Sequence, residues 1–343
     1  MADPQVTIVV VPRERFSLTR LCLERLYAET QLPFALVYVD GGSPNKTKRY
    51  LQTQAEERGF RLIRIEHYLS PNQARNLGFS HVKSRYVVFI DNDVLVTPGW
   101  LDSLVRCAEE TGAWVVGPLC CIGKSELQTI HVAGGITDIR EAQGNRNFYD
   151  ELRFTGQRLA DIRQNLRRER CSFAEFHCML VHTKVFELLG MLDESFLSSL
   201  EHDDLCLAVC RAGGTIYFEP GSLVTHLLPP PFAWSDLPYF LLRWSDAWNQ
   251  ASLRHFCGKW NLPQNPHLRE NSEWLTQHRQ LVLQRVRNAI RRVLGWRLGI
   301  KVERTLLAPA EIAFNRWLVH HLWGRRQQSA CSALASATKS YER

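Results

Sequence analysis

YVVFIDNDV, residues 86 to 94, is an apolar run that stops at two carboxylates flanking a single residue. Apolar side chains at consecutive positions bury both faces of a strand, as in a parallel sheet covered by helices on each side. The segments ahead of it alternate in type. SPNQARNLGF (Ser70 to Phe79) reads as a helix opened by Pro71, and RLIRI (Arg61 to Ile65) as the strand before it. Further back lie a helical pattern from Thr47 to Glu57 and the buried strand FALVYVD (Phe34 to Asp40), which ends in the turn Gly41-Gly42-Ser43-Pro44. A helix capped by Ser17 and running through Leu21, Leu26 and Tyr27 follows the first strand, VTIVVV (Val6 to Val11). On the other side, a helix from Pro98 to Glu110 leads to the short strand WVVG. This rhythm predicts an α/β fold: a doubly wound, mostly parallel sheet with helices on both faces.

From Cys120 to Arg170 the alternation fades into loops and a short hairpin around Val132 to Ile136. FHCMLV is a strand candidate and Lys184 to Leu189 a helix. A helix from His202 to Arg211 stops at Gly213-Gly214, and TIYFEP and SLVTH read as two closing strands. At Pro229-Pro230-Pro231 the composition turns Trp-rich and helical, then basic. The expected division is therefore a catalytic domain over 1–230, with halves of about 1–118 and 119–230, and a helical extension over 231–343.

Bulk properties narrow the function. The chain has 343 residues, of which 45% are apolar and 22% charged, so it can bury a large core and is not globally disordered. The net charge of +7 is concentrated: Arg285, Arg287, Arg291, Arg292, Arg297, Lys301 and Arg304 stand against Glu303 alone between Val282 and Arg304. The remainder is near neutral, which argues against a nucleic-acid partner. The ten cysteines form no CxxC pair and mostly sit in apolar runs, as expected of reduced thiols rather than a disulfide framework. The opening apolar run is too short for a secretory leader, and no stretch approaches the ~20 apolar residues of a membrane span. The expected location is cytoplasmic.

Open α/β sheets bind ligands beyond the carboxyl ends of their strands. Three polar clusters fall there: Pro12-Arg13-Glu14, Asp40-Gly-Gly-Ser43 and Asp91-Asn92-Asp93. Hard divalent cations take oxygen ligands, so an Asp-x-Asp at a strand end suits a cation bound to a nucleotide diphosphate. A solvated turn would also account for it. Arg75, on the first turns of its helix, suits a phosphate or a base carbonyl. Glu201, His202, Asp203 and Asp204 crowd a helix start, where acids are worth ~0.3–1 kcal/mol each against the helix dipole. Glu201 and Asp204, three apart, share a face, and crowded carboxylates raise one another's pKa, as a general base requires. His226 ends the strand SLVTH, where a neutral imidazole can join an Asp in a metal site.

Taken together these segments resemble the family 2 glycosyltransferases, which have the GT-A fold. VTIVVVPR, DGGS, ARNLG, FIDNDV, GMLDESF, EHDDLCL and the histidine of VTH stand in the family's order over roughly residues 5 to 230. The resemblance implies an inverting transferase that uses a nucleotide-diphosphate sugar donor, UDP-linked by first preference, with Mn²⁺ or Mg²⁺, and a glycan or lipid-linked acceptor. It implies that the donor is met by Val11, Arg13, Asp40, Arg75, Asp91 and Asn92, and the metal by Asp93 and His226. The base that takes the acceptor proton would come from the acidic motif. Here the chain departs, with His202 at the motif's second position. Glu201 and Asp204 rank ahead of Asp203, and a base at His202 stays open. The rival readings are a nucleotidyltransferase, against which the glycine-free Pro12-Arg13-Glu14-Arg15 turn counts, and a catalytically silent GT-A-like carbohydrate-binding protein.

The segment from Cys120 to Phe176 is expected to shape the acceptor site; His131, Gly134-Gly135, Glu175 and His177 are its polar positions, with no role assigned. DLPYFLLRWSDAWNQASLRHF (Asp236 to Phe256) is expected to pack as a helix across the sheet. The basic amphipathic stretch over about 282–304 is a candidate for peripheral contact with an anionic bilayer, with Gly295 and Gly299 weakening it as one helix. The tail QQSACSALASATKSYER is expected to be frayed.

Overall fold

The computed structural model describes residues 4–123, 128–142, 144–229, 231–262 and 266–324, so the C-terminal tail lies outside the described residues. Four parallel strands begin the fold: β1 (Val6–Val11), β2 (Phe34–Gly41), β3 (Arg61–Ile65) and β4 (Tyr86–Asp91). They alternate with α1 (Thr19–Glu29), α2 (Asn45–Arg58) and α3 (Pro71–Phe79). Then follow β5 (Val94–Val96), α4 (Trp100–Thr111), β6 (Val115–Ile122), β7 (Thr129–Val132), β8 (Gly135–Ala142) and β9 (Asn145–Leu152). The short α5 (Leu159–Ile162) precedes β10 (Glu169–Cys171), β11 (Cys178–His182), α6 (Lys184–Leu189), α7 (Glu201–Arg211) and β12 (Ile216–His226). The main sheet runs β10-β12-β6-β11-β4-β1-β2-β3, with β5 added to β12 and β7 to β6.

The continuous apolar strands are buried on both faces, as their composition requires. Ile8 and Val10 of β1 face one layer with Leu23, Leu26, Leu51 and Leu104, from α1, α2 and α4. Val9 and Val11 face the other, with Ala74, Val185, Leu205 and Cys206 from α3, α6 and α7. Each such side chain contributes about 1.5–3 kcal/mol by leaving water. The glycine of ARNLG follows from this packing. A Cβ on Gly78 would lie 2.3 Å from Cγ1 of Val9, so α3 can approach β1 only without one.

Several expectations change. The sheet is mixed: β11 enters antiparallel between β4 and β6. A strand buried on both faces reads alike in either direction, so the sequence does not report its sense. TIYFEP and SLVTH are one strand, β12, with a register shift between Glu219 and Leu223. The hairpin is β8 with β9, not Val132 to Ile136; Val132 ends β7, which pairs with β6. Ser17 does not cap α1. Its amide and hydroxyl instead donate to the Asp236 carboxylate at 3.0 and 2.6 Å.

The change of composition at Pro229 is not matched by a gap in the packing. α8 (Leu237–Arg243) and α9 (Asp246–Trp260) bury Tyr239, Phe240, Leu242, Trp248 and Phe256, as expected of a helix packed on the sheet domain. The Tyr239 hydroxyl lies 3.2 Å from the Pro12 carbonyl oxygen and 3.3 Å from that of Leu69. Ser252 Oγ accepts from the amides of Leu197 and Ser198, both at 2.9 Å. α10 (Pro266–Arg279), α11 (Gln284–Val302) and α12 (Ala308–Val319) follow, and α11 is broken at Gly295, whose φ of 73° and ψ of 170° are not helical. Among the described residues no helix is long and apolar enough to cross a membrane. All nine described cysteines are free thiols.

Candidate active site

A cleft of about 510 Å³ opens beyond the carboxyl ends of β1, β6 and β12, walled by the start of α7 and by residues of α8 and α10. The end of β4 braces the turn after β1. The Asn92 amide donates to the Val11 carbonyl at 2.9 Å, and its side-chain oxygen accepts from the Arg13 amide at 3.0 Å. Its Nδ2 donates to the Arg15 carbonyl oxygen at 3.1 Å. Asn92 and the Val11 carbonyl thus fix the β1 turn in place, work that leaves them engaged with the chain itself.

Asp93 and His226 come together through sheet register. β5 pairs antiparallel with β12 so that Val94 stands opposite His226, which brings the preceding Asp93 beside the ring. Asp93 Oδ2 lies 3.8 Å from His226 Nε2, and Glu14 joins them, with ligand atoms of all three within 4.8 Å of one another. Asp93 is fully buried, yet neither carboxylate oxygen has a hydrogen-bond partner, and neither does either nitrogen of His226. Buried polar atoms are ordinarily paired, so this orphaned set is what a divalent cation would complete. Burial first, and then the charge of neighbouring His177, pushes His226 down to about 4, so its ring is neutral near pH 7 and has a lone pair to offer. Burial alone would raise the Glu14 carboxyl, but His278, 3.1 Å away, outweighs it and holds that carboxyl well below the usual range.

Arg13 lines the cleft, with Nη1 3.2 Å from Asp91 Oδ2. Asp91 is buried, which by itself raises its pKa; Arg13, His177 and Arg75 reverse this and keep it ionised. Arg75 is not among the residues that line the cleft. It is fully buried over the Phe176 ring at 3.9 Å, 3.5 Å from Asp91 Oδ1 and 3.6 Å from Glu201 Oε1, and so bridges the two acidic motifs from behind. Asp40 is likewise engaged: its carboxylate accepts from the Ser43 amide at 3.1 Å, the Ser43 hydroxyl at 2.8 Å and Arg64 at 2.7 Å. The helix and turn positions of these two residues were legible, but not the internal partners that bind them.

At the start of α7 the four candidates have different surroundings. Asp204 faces away from the cleft, where Lys259 Nζ and Trp260 Nε1 reach its two oxygens at 2.8 and 2.9 Å. Glu201 lines the cleft but is bound by Arg243 at 3.2 Å, and although burial raises its carboxyl, Arg243, His202 and Arg75 bring it below the ordinary value. His202 and Asp203 also line the cleft, with Nε2 of the ring 3.3 Å from Asp203 Oδ2 and the Thr137 hydroxyl 3.3 Å from Oδ1. Burial, only partly offset by His202, pushes Asp203 up to about 6. Counting positions around an ideal helix set Asp203 aside; at a first turn, however, side chains also reach toward the open N-terminal end.

A second polar group adjoins the first. Glu175 lies with one oxygen 3.1 Å from His131 Nε2 and the other 3.2 Å from His177 Nε2. Burial and Arg13 depress His177, but Glu175 and Asp91 prevail and raise it to about 9. Arg243, Trp244 and His278 complete the walls from helices that the sequence reading placed outside the catalytic domain, and Glu14 had no signal beyond its place in a strand-end turn.

The model of Glycosyl transferase family 2 matches residues 7–190. The chain is similar to the pre-mycofactocin glycosyltransferases of Mycobacterium tuberculosis strains CDC 1551 / Oshkosh and ATCC 25618 / H37Rv, 25% identical to each over 226 residues. The match takes in 64% of this chain but only 42% of each relative's length. In structure it is similar to GalNAc-T7 with UDP, GalNAc and Mn²⁺, with a TM-score of 0.51 and 14% identity over 80% of this chain and 56% of that one. It is also similar to the mannosyltransferase PcManGT from Pyrobaculum calidifontis in complex with GDP-Man and Mn²⁺, with a TM-score of 0.51 and 14% identity over 94% of this chain and 88% of that one. At such identity the likeness is one of fold, and that fold is GT-A. The nucleotidyltransferase alternative falls with the family match. With that match spanning more than half of the sequence, the chain belongs to glycosyl transferase family 2.

Proposed function

We propose that this chain moves a sugar, with inversion, from a nucleotide-diphosphate donor to an acceptor hydroxyl of a glycan or lipid-linked substrate. The observation that carries the reading is the buried, orphaned Asp93 carboxylate beside neutral His226, which lines the cleft. Glu14, Asp93 and His226 would hold Mn²⁺ or Mg²⁺, which when bound neutralises charge on the departing diphosphate. The solved relatives contain UDP or GDP-Man, each with Mn²⁺, and UDP-linked donors are the first to test. Arg13 supplies a fixed positive charge in the same cleft, and Asp91 orients it.

His202, backed by Asp203, is the base. Asp203 Oδ2, 3.3 Å from Nε2, places a negative charge beside the ring that favours its taking the acceptor hydroxyl proton. The acceptor oxygen then bonds to the anomeric carbon while the bond from that carbon to the diphosphate breaks, its electron pair leaving with the diphosphate. Glu201, held by Arg243 and near Arg75, is a positioning group that anchors the start of α7. Cytoplasmic work at a membrane face fits α11, whose exposed Val293, Trp296 and Leu298 stand among exposed Arg292, Arg297 and Lys301.

The test is a turnover screen of UDP-, GDP- and other nucleotide-linked sugars with and without Mn²⁺. The expected result is one preferred donor, consumption abolished by EDTA, and a loss of at least about 100-fold in Asp93→Asn. Metal-independent turnover would overturn the metal assignment. No turnover with any donor or acceptor would favour the silent carbohydrate-binding alternative.

A further inference from the structure

His131, Glu175 and His177 have no part in the reaction described above, yet they make a compact donor set. One ligand atom from each lies within 4.8 Å of the others. Glu175 Oε2 approaches His131 Nε2 to 3.1 Å but is a buried atom without a hydrogen bond. Proximity without alignment is the arrangement of two groups turned toward a common third point rather than toward each other. Behind the set, Asp91 Oδ2 lies 3.3 Å from His177 Nδ1, the nitrogen facing away from Glu175. His177 Nδ1 makes no hydrogen bond there, so the ring is held by packing and charge alone. All three residues line the cleft, so a cation held there would keep open positions for water or substrate.

We propose that His131, Glu175 and His177 form a second divalent-metal site beside the Glu14–Asp93–His226 site. The rings of His177 and His226, one from each set, are 3.9 Å apart, so the sites share a wall. With the His177 proton released to solvent on binding, two imidazoles and one carboxylate suit a borderline transition metal such as Zn²⁺ or Co²⁺, whereas two carboxylates and one imidazole suit a harder ion such as Mn²⁺. His131 lies far in sequence from Glu175 and His177, which are two residues apart; β7 pairing with β6, and β6 with β11, brings it to them.

The test is titration of metal-depleted full-length protein with Co²⁺ alone, read by calorimetric stoichiometry and by the visible absorption of bound Co²⁺. Two equivalents are expected. Glu175→Gln and, separately, His131→Ala should each reduce this to one, as should Asp93→Asn through the other site. Circular dichroism confirms that each variant is folded, and His131, only half-buried, is the milder replacement. A single equivalent lost in Asp93→Asn and kept in Glu175→Gln overturns the second site but leaves the transferase reading standing. A single equivalent with the opposite dependence supports the second site and refutes the metal assignment of Asp93. No bound Co²⁺ overturns both.

Discussion

At the residue scale, the proton-accepting pair is the least conventional part of the site. His202 stands where the family resemblance calls for an acid, and Asp203 lies against its ring. Asp203 carries a carboxyl raised to about 6 by burial. Above that pH it is ionised and sets its charge against the ring; below it, it gains a proton and that charge is lost. The turnover rate is therefore expected to fall as pH drops through about 6. His202→Ala should lose about 100-fold or more in kcat with little change in donor KM, and Asp203→Asn should shift the acidic limb. Full rates in His202→Ala with an unchanged pH profile would return the base to another group. Asp91, Asp93 and His226 were legible because strand ends, carboxylate pairs and a terminal imidazole leave marks in sequence. The use of Asp204 by Lys259 and Trp260 was not, since both partners sit more than fifty residues away.

At the scale of elements, the parallel half of the sheet was readable almost strand by strand, because burial on both faces forces consecutive apolar residues. The sense of β11 and the continuity of β12 are set by neighbours in space, and local periodicity carries neither. α11 is a different case: its basic and apolar composition was readable, and among the described residues part of its apolar side stays exposed. Val293 is 80% exposed and Trp296 65% exposed, beside exposed arginines that are each worth about 1 kcal/mol near an anionic surface. The protein is expected to co-sediment with phosphatidylserine-containing vesicles and not with neutral ones. Val293→Asp with Trp296→Asp should reduce that binding several-fold. Equal sedimentation of the parent and the double variant would show that this face serves something else.

At the scale of the whole molecule, the helices after Pro229 close the cleft rather than trail from it. Asp236 holds Ser17, Tyr239 meets Pro12, Arg243 holds Glu201 and His278 meets Glu14. The change of composition at Pro229 does not report these contacts: aromatic helices signal burial, but not against what. The last of these contacts reaches the Glu14–Asp93–His226 set directly, and the proposed transfer depends on the ion that set would hold. The direct measurement is calorimetric binding of the nucleoside diphosphate chosen by the donor screen, with and without Mn²⁺, in the parent protein and in Asp93→Asn. Mn²⁺ is predicted to tighten binding more than about ten-fold in the parent and to have no effect in the variant. The same affinity in the parent with and without Mn²⁺, or an undiminished metal effect in Asp93→Asn, would contradict it.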